Sequence, residues 1–201
     1  MARSETPARR IGAADSRTRA QLLDAAEALL LEEGYAAVTS RRIGGKAGLK
    51  PQLVHYYFRT MDDLFVEVFR RRAEQNLAHF DEGVAGAPTL RRIWDLTADI
   101  GSATFLIEFV ALANHRKAIR AEIKRYAERF RAAQLAALET ALDGAGIPED
   151  EVPPIVALVL MTGVSQIMGI ERSLGVKAGH DDTVAFVEAL LDRAGNDVLP
   201  D

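Results

Sequence analysis

The chain has 201 residues, 48 % of them hydrophobic and 27 % charged, with a mean hydropathy of −0.03; this fits one compact unit or two small subdomains of an ordinary soluble protein. It contains no cysteine, which excludes disulfides, thiolate metal sites and cysteine nucleophiles and is compatible with a cytoplasmic location. The net charge of −4 is unevenly spread: residues 1–72 carry 13 Lys/Arg against 9 Asp/Glu, and residues 73–201 carry 12 against 20, as suits a phosphate-binding head on an acidic body.

Residues 1–15 are rich in Arg, Ala and Gly without periodicity and read as a disordered arm; Arg9 and Arg10 either enter a minor groove or form a solvated tail. Residues 1–10 hold no apolar signal core. Over residues 16–33, Leu22, Ala26, Leu29 and Leu30 recur at helical spacing, with Asp15 or Ser16 as cap and Gly34 as stop. Tyr35 and Val38 lead into residues 39–64, which read as two short helices joined by a glycine turn, then Tyr56-Tyr57-Phe58, then a further helix. Residues 40–46 form a short basic run (Arg41, Arg42, Lys46), and Ala47-Gly48 supplies the small residue and permissive turn that crossing helices need. The next helix opens at Pro51, where proline costs no hydrogen bond, so that Lys50-Pro51-Gln52 can face base edges. Leu53, Val54 and Phe58 read as packing residues, and Tyr56 either touches DNA or covers the head's own core.

Thr60 with Asp63 makes a capping signature, so a fourth helix begins at Met61 and runs through Leu64, Phe65, Val68 and Phe69 toward Phe80. Gly83, Gly86 and Pro88 break the chain, and helices follow at about 89–100, 102–113, 115–143, 152–174 and 181–196. No strand pattern competes, and the fold class is all-α. The expected organisation is an arm (1–15), a helix-turn-helix head (16–60) and a helical body (61–201).

The last two helices carry an unusual apolar load. Ile155, Leu158, Val159, Met161 and Met168 surround the first on nearly every side, and Val184, Phe186, Val187, Leu190 and Leu191 stripe the second. A helix apolar all round must be covered. Gly163, Ser165 and Gly169 allow a close neighbour, so either two such helices from each of two chains form a four-helix contact or they make an intrachain core. The charge-free run 152–170 offers roughly 17 helical residues after its prolines, or ~25 Å, short of a ~30 Å hydrocarbon core; no membrane span is expected.

Catalysis finds no constellation. No two of His55, His79, His115 and His180 share a metal-binding helical spacing, and His180-Asp181-Asp182 is either an oxygen and nitrogen cluster or, as Asp181 or Asp182, a cap for the final helix. Asp95, Asp99 and Glu108 read as a solvated face, and the run 163–167 lacks the closing glycine of a nucleophile elbow. No enzyme, metal or cofactor is expected. A small-molecule pocket has candidates in Trp94, Phe105, Phe109 and Tyr126 with Met161 and Gln166, which plain core packing would also explain.

The order and spacing of the first amphipathic helix, Gly34-Tyr35, Thr39, Ile43, Ala47-Gly48-Leu49, Tyr57-Phe58 and Leu64 over residues 17–69 resemble the TetR family of dimeric transcriptional regulators. The resemblance implies a three-helix head joined by a fourth helix to a variable body that binds a small ligand and dimerises through its last two helices. It places Thr39, Ser40 and Arg41 on the second helix of the DNA-binding motif, and Lys50, Gln52, His55, Tyr56 and Tyr57 on the helix that reads DNA, with Arg59 after it. The side-chain chemistry suits those places: Arg41 can fork onto guanine, Gln52 can pair with adenine, and Lys50, Tyr57 and Arg59 suit phosphate oxygens. The chain departs from the family at His55, where a tyrosine is usual, at Met61, where a lysine is usual, and at Lys50, which replaces a capping serine or threonine. The implied function is a homodimeric, sequence-specific regulator of double-stranded DNA, a repressor released from its operator by a small molecule. The alternative is a small-molecule binding protein with a vestigial head.

Overall fold

The computed structural model describes residues 16–97 and 101–196. Among the described residues the chain is all helical: α1 (Arg17–Glu33), a 3-10 turn (Tyr35–Ala37), α2 (Ser40–Ala47), α3 (Gln52–Tyr57), α4 (Met61–Val84), α5 (Leu90–Thr97), α6 (Gly101–Ala113), α7 (Lys117–Gly144), α8 (Pro154–Ser173) and α9 (His180–Asn196). The expected arm, with Arg9 and Arg10, lies outside the described residues, as do Asp99 and the end of the helix expected over 89–100. By its packing the chain falls into two compact units. One holds the described residues up to Arg72 together with Glu108–Ile123; the other holds Ala73–Ile107 and the described residues from Lys124 onward.

In the first unit, α1 starts where the Ser16 hydroxyl accepts from the Arg19 N–H at 3.1 Å and ends at Gly34. Its apolar face buries Leu22, Leu23, Ala25, Ala26, Leu29 and Leu30, and each fully buried leucine contributes about 1.5–3 kcal/mol. Helix α4 opens on a reciprocal cap: the Asp63 N–H donates to the Thr60 hydroxyl at 3.0 Å, and the Thr60 N–H to the Asp63 carboxylate at 3.2 Å. Leu64, Phe65, Val68 and Phe69 on its inner face are all buried. Phe109 of α6 meets two of them, with ring centres 6.5 Å from Phe65 and 5.1 Å from Phe69.

The second unit packs around Phe80, Ile93, Ala137, Leu138, Ala141, Leu142 and Leu158, with Phe130 and Met161 against them. The Arg91 guanidinium in α5 is held by Glu188 and Asp192 of α9, and Arg129 of α7 by Glu74 of α4. Two expectations are corrected here. Asp181 and Asp182 do not cap α9. The helix begins at His180, so both carboxylates sit inside its first turn, where they favour the exposed N–H groups through the helix dipole; His180 itself is buried with Nε2 2.7 Å from Glu171. The length estimate for α8 is also corrected: the helix lies within the expected 152–174 but is not limited to the charge-free run, because Pro154 is tolerated at a helix start and the helix continues through Glu171, Arg172 and Ser173. Its 20 residues span about 30 Å, so α8 is long and apolar enough, by length and composition, to cross a membrane.

Candidate nucleic-acid interface

Helix α2 is capped by Thr39, whose hydroxyl accepts from the Arg42 N–H at 3.3 Å, so a residue expected at DNA also serves as the cap. The helix ends at Gly48, which takes a left-handed conformation at φ 66°, and the Leu49 N–H turns back to the Gly44 carbonyl at 2.8 Å. Helix α3 begins at Gln52, one residue later than the sequence suggested. Pro51 is the flanking residue in right-handed helical geometry, and the first turn is tight, with Leu53 and Val54 N–H groups bonding to the Lys50 and Pro51 carbonyls at 3.0 and 3.1 Å.

The two sides of this short helix divide cleanly. Val54 and Phe58 are buried at 1 % and 3 % exposure, while Lys50, Gln52, Tyr56 and Arg59 are exposed and His55 and Tyr57 half-buried. Tyr56 is 43 % exposed and stands edge-on to Tyr57, with ring centres 5.0 Å apart. It therefore packs against its neighbour while much of its own surface stays exposed. On α2, Arg41 is exposed and Ser40 half-buried beside the exposed Thr39. All nine residues expected at DNA thus lie on α2, α3 or their flanks, and none is buried.

The cations are not equivalent. Arg42 is drawn back to Glu33 of α1 at 2.5 Å and Lys46 to Glu32 at 2.6 Å. The Arg42 hydrogen bond, with its charge and that of Lys46, holds the Glu33 carboxyl below its ordinary range. Two of the three cations in the basic run are therefore paired within the head. Arg41, Lys50 and Arg59 have no ion-pair partner among the described residues.

The candidate ligand residues are divided between the units. Phe109 is buried in the first, against Phe65 and Phe69. In the second, Trp94 and Phe105 are buried, Tyr126 is half-buried and stacks on Phe130 at 5.4 Å, Met161 packs against the core, and Gln166 is exposed. On α8 the Thr162 and Ser165 hydroxyl oxygens are buried with no hydrogen-bond partner among the described residues.

Two residues escaped the sequence reading. A Cβ on Gly44 would lie 2.8 Å from the Leu49 carbonyl oxygen and 3.0 Å from the Pro51 nitrogen, so this glycine sets the closeness of α2 to the turn before α3; a glycine in mid-helix, against propensity, was its only signal. Glu108 is not part of a solvated acidic face. Its carboxylate accepts from the Tyr35 N–H at 3.1 Å, anchoring the turn between α1 and α2. Nothing in the sequence pairs residues 73 positions apart.

Residues 22–68 match the sequence model described as bacterial regulatory proteins, tetR family. No curated protein sequence matches the chain. Among solved structures, a TetR transcription regulator from Haloarcula marismortui is similar with a TM-score of 0.70 at 20 % identity, over 88 % of this chain and 97 % of its own. A transcriptional regulator from Rhodococcus sp. gives 0.64 at 21 %, over 90 % and 99 %. A protein of Saccharomonospora viridis classed as a transcriptional regulator, solved in complex with choline, gives 0.72 at 18 %, over 82 % and 89 %. The N-terminal head is thus a TetR-family DNA-binding domain, and the chain that carries it has the fold of the TetR-family regulators.

Proposed function

We propose that the protein is a homodimeric, sequence-specific repressor whose affinity for its operator falls when a small apolar or amphipathic molecule binds the body. The observation that carries this reading is the two-sidedness of α3: its apolar residues close the head, while Lys50, Gln52, Tyr56 and Arg59 are left to a partner that supplies acceptors and negative charge. Arg41 and Gln52 read base edges, and Thr39, Ser40, Lys50, His55, Tyr56, Tyr57 and Arg59 position the head on sugar and phosphate.

Dimerisation through α8 and α9 is supported by their outer faces. Ile155, Val156, Val159, Leu160 and Ile167 of α8 and Phe186 and Leu190 of α9 are all exposed, Leu160 and Phe186 at 63 %. Gly163 has open space where a side chain would be. Apolar surface of this extent is covered in a working protein, and a second copy presenting the same face covers it symmetrically. Two heads then address successive major grooves at a spacing of ~34–36 Å. A ligand that prefers a body conformation with another spacing lowers DNA affinity by its differential affinity for the two states, and α4, which contributes residues to both units, carries the change. Trp94, Phe105, Tyr126, Met161 and Gln166 of the second unit remain the candidate ligand contacts, whereas Phe109 packs in the first unit against Phe65 and Phe69. The buried hydroxyls of Thr162 and Ser165, and the choline held by a protein of similar fold, support a body that takes a small molecule.

Selection of bound duplexes from a random pool, followed by titration of the enriched sequence, tests this reading. A repressor of this kind enriches a two-fold symmetric sequence and binds it with strong salt dependence. The competing reading, a ligand-binding protein with a vestigial head, draws on the neutralisation of Arg42 and Lys46; failure to enrich any sequence, with ligand binding intact, would establish it instead.

A further inference from the structure

One run of charge crosses the first unit from α7 to the foot of α3. Glu122 of α7 is 9 % exposed, and its two carboxylate oxygens accept from Nε and Nη2 of Arg70, each at 3.2 Å. Arg70 Nη1 donates at 2.5 Å to Glu67, whose other oxygen accepts at 2.5 Å from Nη2 of Arg19. The Arg19 guanidinium carbon in turn lies 5.2 Å from the ring centre of Phe58. Phe58 is the buried residue that ends α3, its N–H closing on the Val54 carbonyl at 2.9 Å. Acid and base alternate through α7, α4, α1 and the end of α3.

From this geometry we propose that Glu122 is a positioning residue for DNA reading: through Arg70, Glu67 and Arg19 it fixes Phe58, and with it the orientation in which α3 presents Gln52, Tyr56 and Arg59. The proposal rests on the DNA-reading function above and adds a route from α7 into that site.

The physical basis is a shared carboxylate. Glu67 takes one guanidinium on each oxygen, Arg70 on one and Arg19 on the other, so the placement of Arg70 sets the placement of the carboxylate that holds Arg19 over the Phe58 ring. Glu122 holds Arg70 with a fork that fixes the plane of the guanidinium as well as its distance. Once that fork is lost, Arg70 is free to turn, the Glu67 carboxylate turns with it, and the Arg19 guanidinium shifts from its place over Phe58, which weakens the cation–π contact. A shift of α7 that withdraws Glu122 has the same effect, so the relay can carry a change at α7 to the DNA face.

The test uses the full chain, with Glu122→Gln, Arg19→Gln and the double variant, and the duplex that the unaltered protein enriches from a random pool. Glu122→Gln is expected to weaken binding to that duplex by about fivefold and to speed hydrogen exchange at the Phe58 amide, with the midpoint of thermal unfolding little changed. The double variant should bind no worse than the weaker single one, because both break the same chain. Unchanged exchange and affinity in Glu122→Gln, or effects that simply add in the double variant, overturn the proposal. If Glu122→Gln unfolds the head, Arg70→Lys, which keeps the charge and loses the fork, gives the same reading, and unchanged Phe58 exchange there also overturns it. If the unaltered protein enriches no duplex, the DNA-reading function fails, and Phe58 exchange still decides whether the relay exists.

Discussion

Helix α3 and helix α8 leave opposite kinds of surface unfinished. The first is six residues long; with its flanks it closes the head through Val54 and Phe58 and leaves Lys50, Gln52, Tyr56 and Arg59 exposed. The second is 20 residues long, buries Pro154, Leu158, Met168 and Gly169, and turns Ile155, Val156, Val159, Leu160 and Ile167 outward. A polar outer face is at ease in water and gains from a partner only where that partner offers matched acceptors and charge. An apolar outer face is costly in water and gains from any surface that excludes it. Specificity is therefore expected of α3 and bulk stability of α8.

The largest expected effect would erase the first side of this contrast. Gly44→Val places a side chain against the Leu49 carbonyl and the Pro51 nitrogen, which are backbone atoms with little room to yield. The head should lose about 3 kcal/mol, seen as a lowered thermal midpoint and lost duplex binding while α8-mediated association survives. Next comes the second side. Leu160→Glu with Phe186→Glu, both changes at exposed positions, should leave the monomer folded and weaken dimerisation by about 2 kcal/mol or more, roughly thirtyfold. Sedimentation velocity across a concentration series reads it; an unchanged dimer would assign that face to another partner.

Smaller effects sharpen the roles on α2 and α3. Arg41→Ala and Gln52→Ala should each relax the preference at one base pair by about 1–3 kcal/mol, measured by competition between duplexes that differ at single positions. Lys50→Ala should weaken all sequences alike and lower the salt slope by about one unit. The smallest concerns acid. Because Arg42 lowers the folded-state pKa of Glu33, the contribution of that pair is complete above the ordinary carboxylate range and is lost as the pH falls through the lowered value. Arg42→Ala should return the Glu33 titration, followed by NMR, toward its ordinary value.

Local signals in the sequence carried most of the fold. Ser16, Thr60 with Asp63, and Gly34 mark helix ends through bonds made within a few residues, and the structure places each where its chemistry puts it. The end of α8 and the start of α9 fell within one residue of expectation, but that single residue decided the cap: the helix takes in the buried His180, so Asp181 and Asp182 sit in its first turn. Within the head, residue type gave the outward face of α3. It could not reveal which cations are already engaged, since Arg42 and Lys46 meet carboxylates of another helix. Gly44, Glu108 and Glu122 act across the tertiary fold, and only contacts in space identify them.

The retreat of Arg42 and Lys46 onto α1 bears on how such a protein would search a genome. Affinity for random duplex grows with the number of phosphates a protein can neutralise. A head that engages two of its cations with its own carboxylates should adhere less to the vast excess of wrong sites than one with every cation turned outward. On the proposed function, telling a correct site from a wrong one then falls chiefly to Arg41 and Gln52, while the remaining phosphate contacts keep both kinds of binding sensitive to salt.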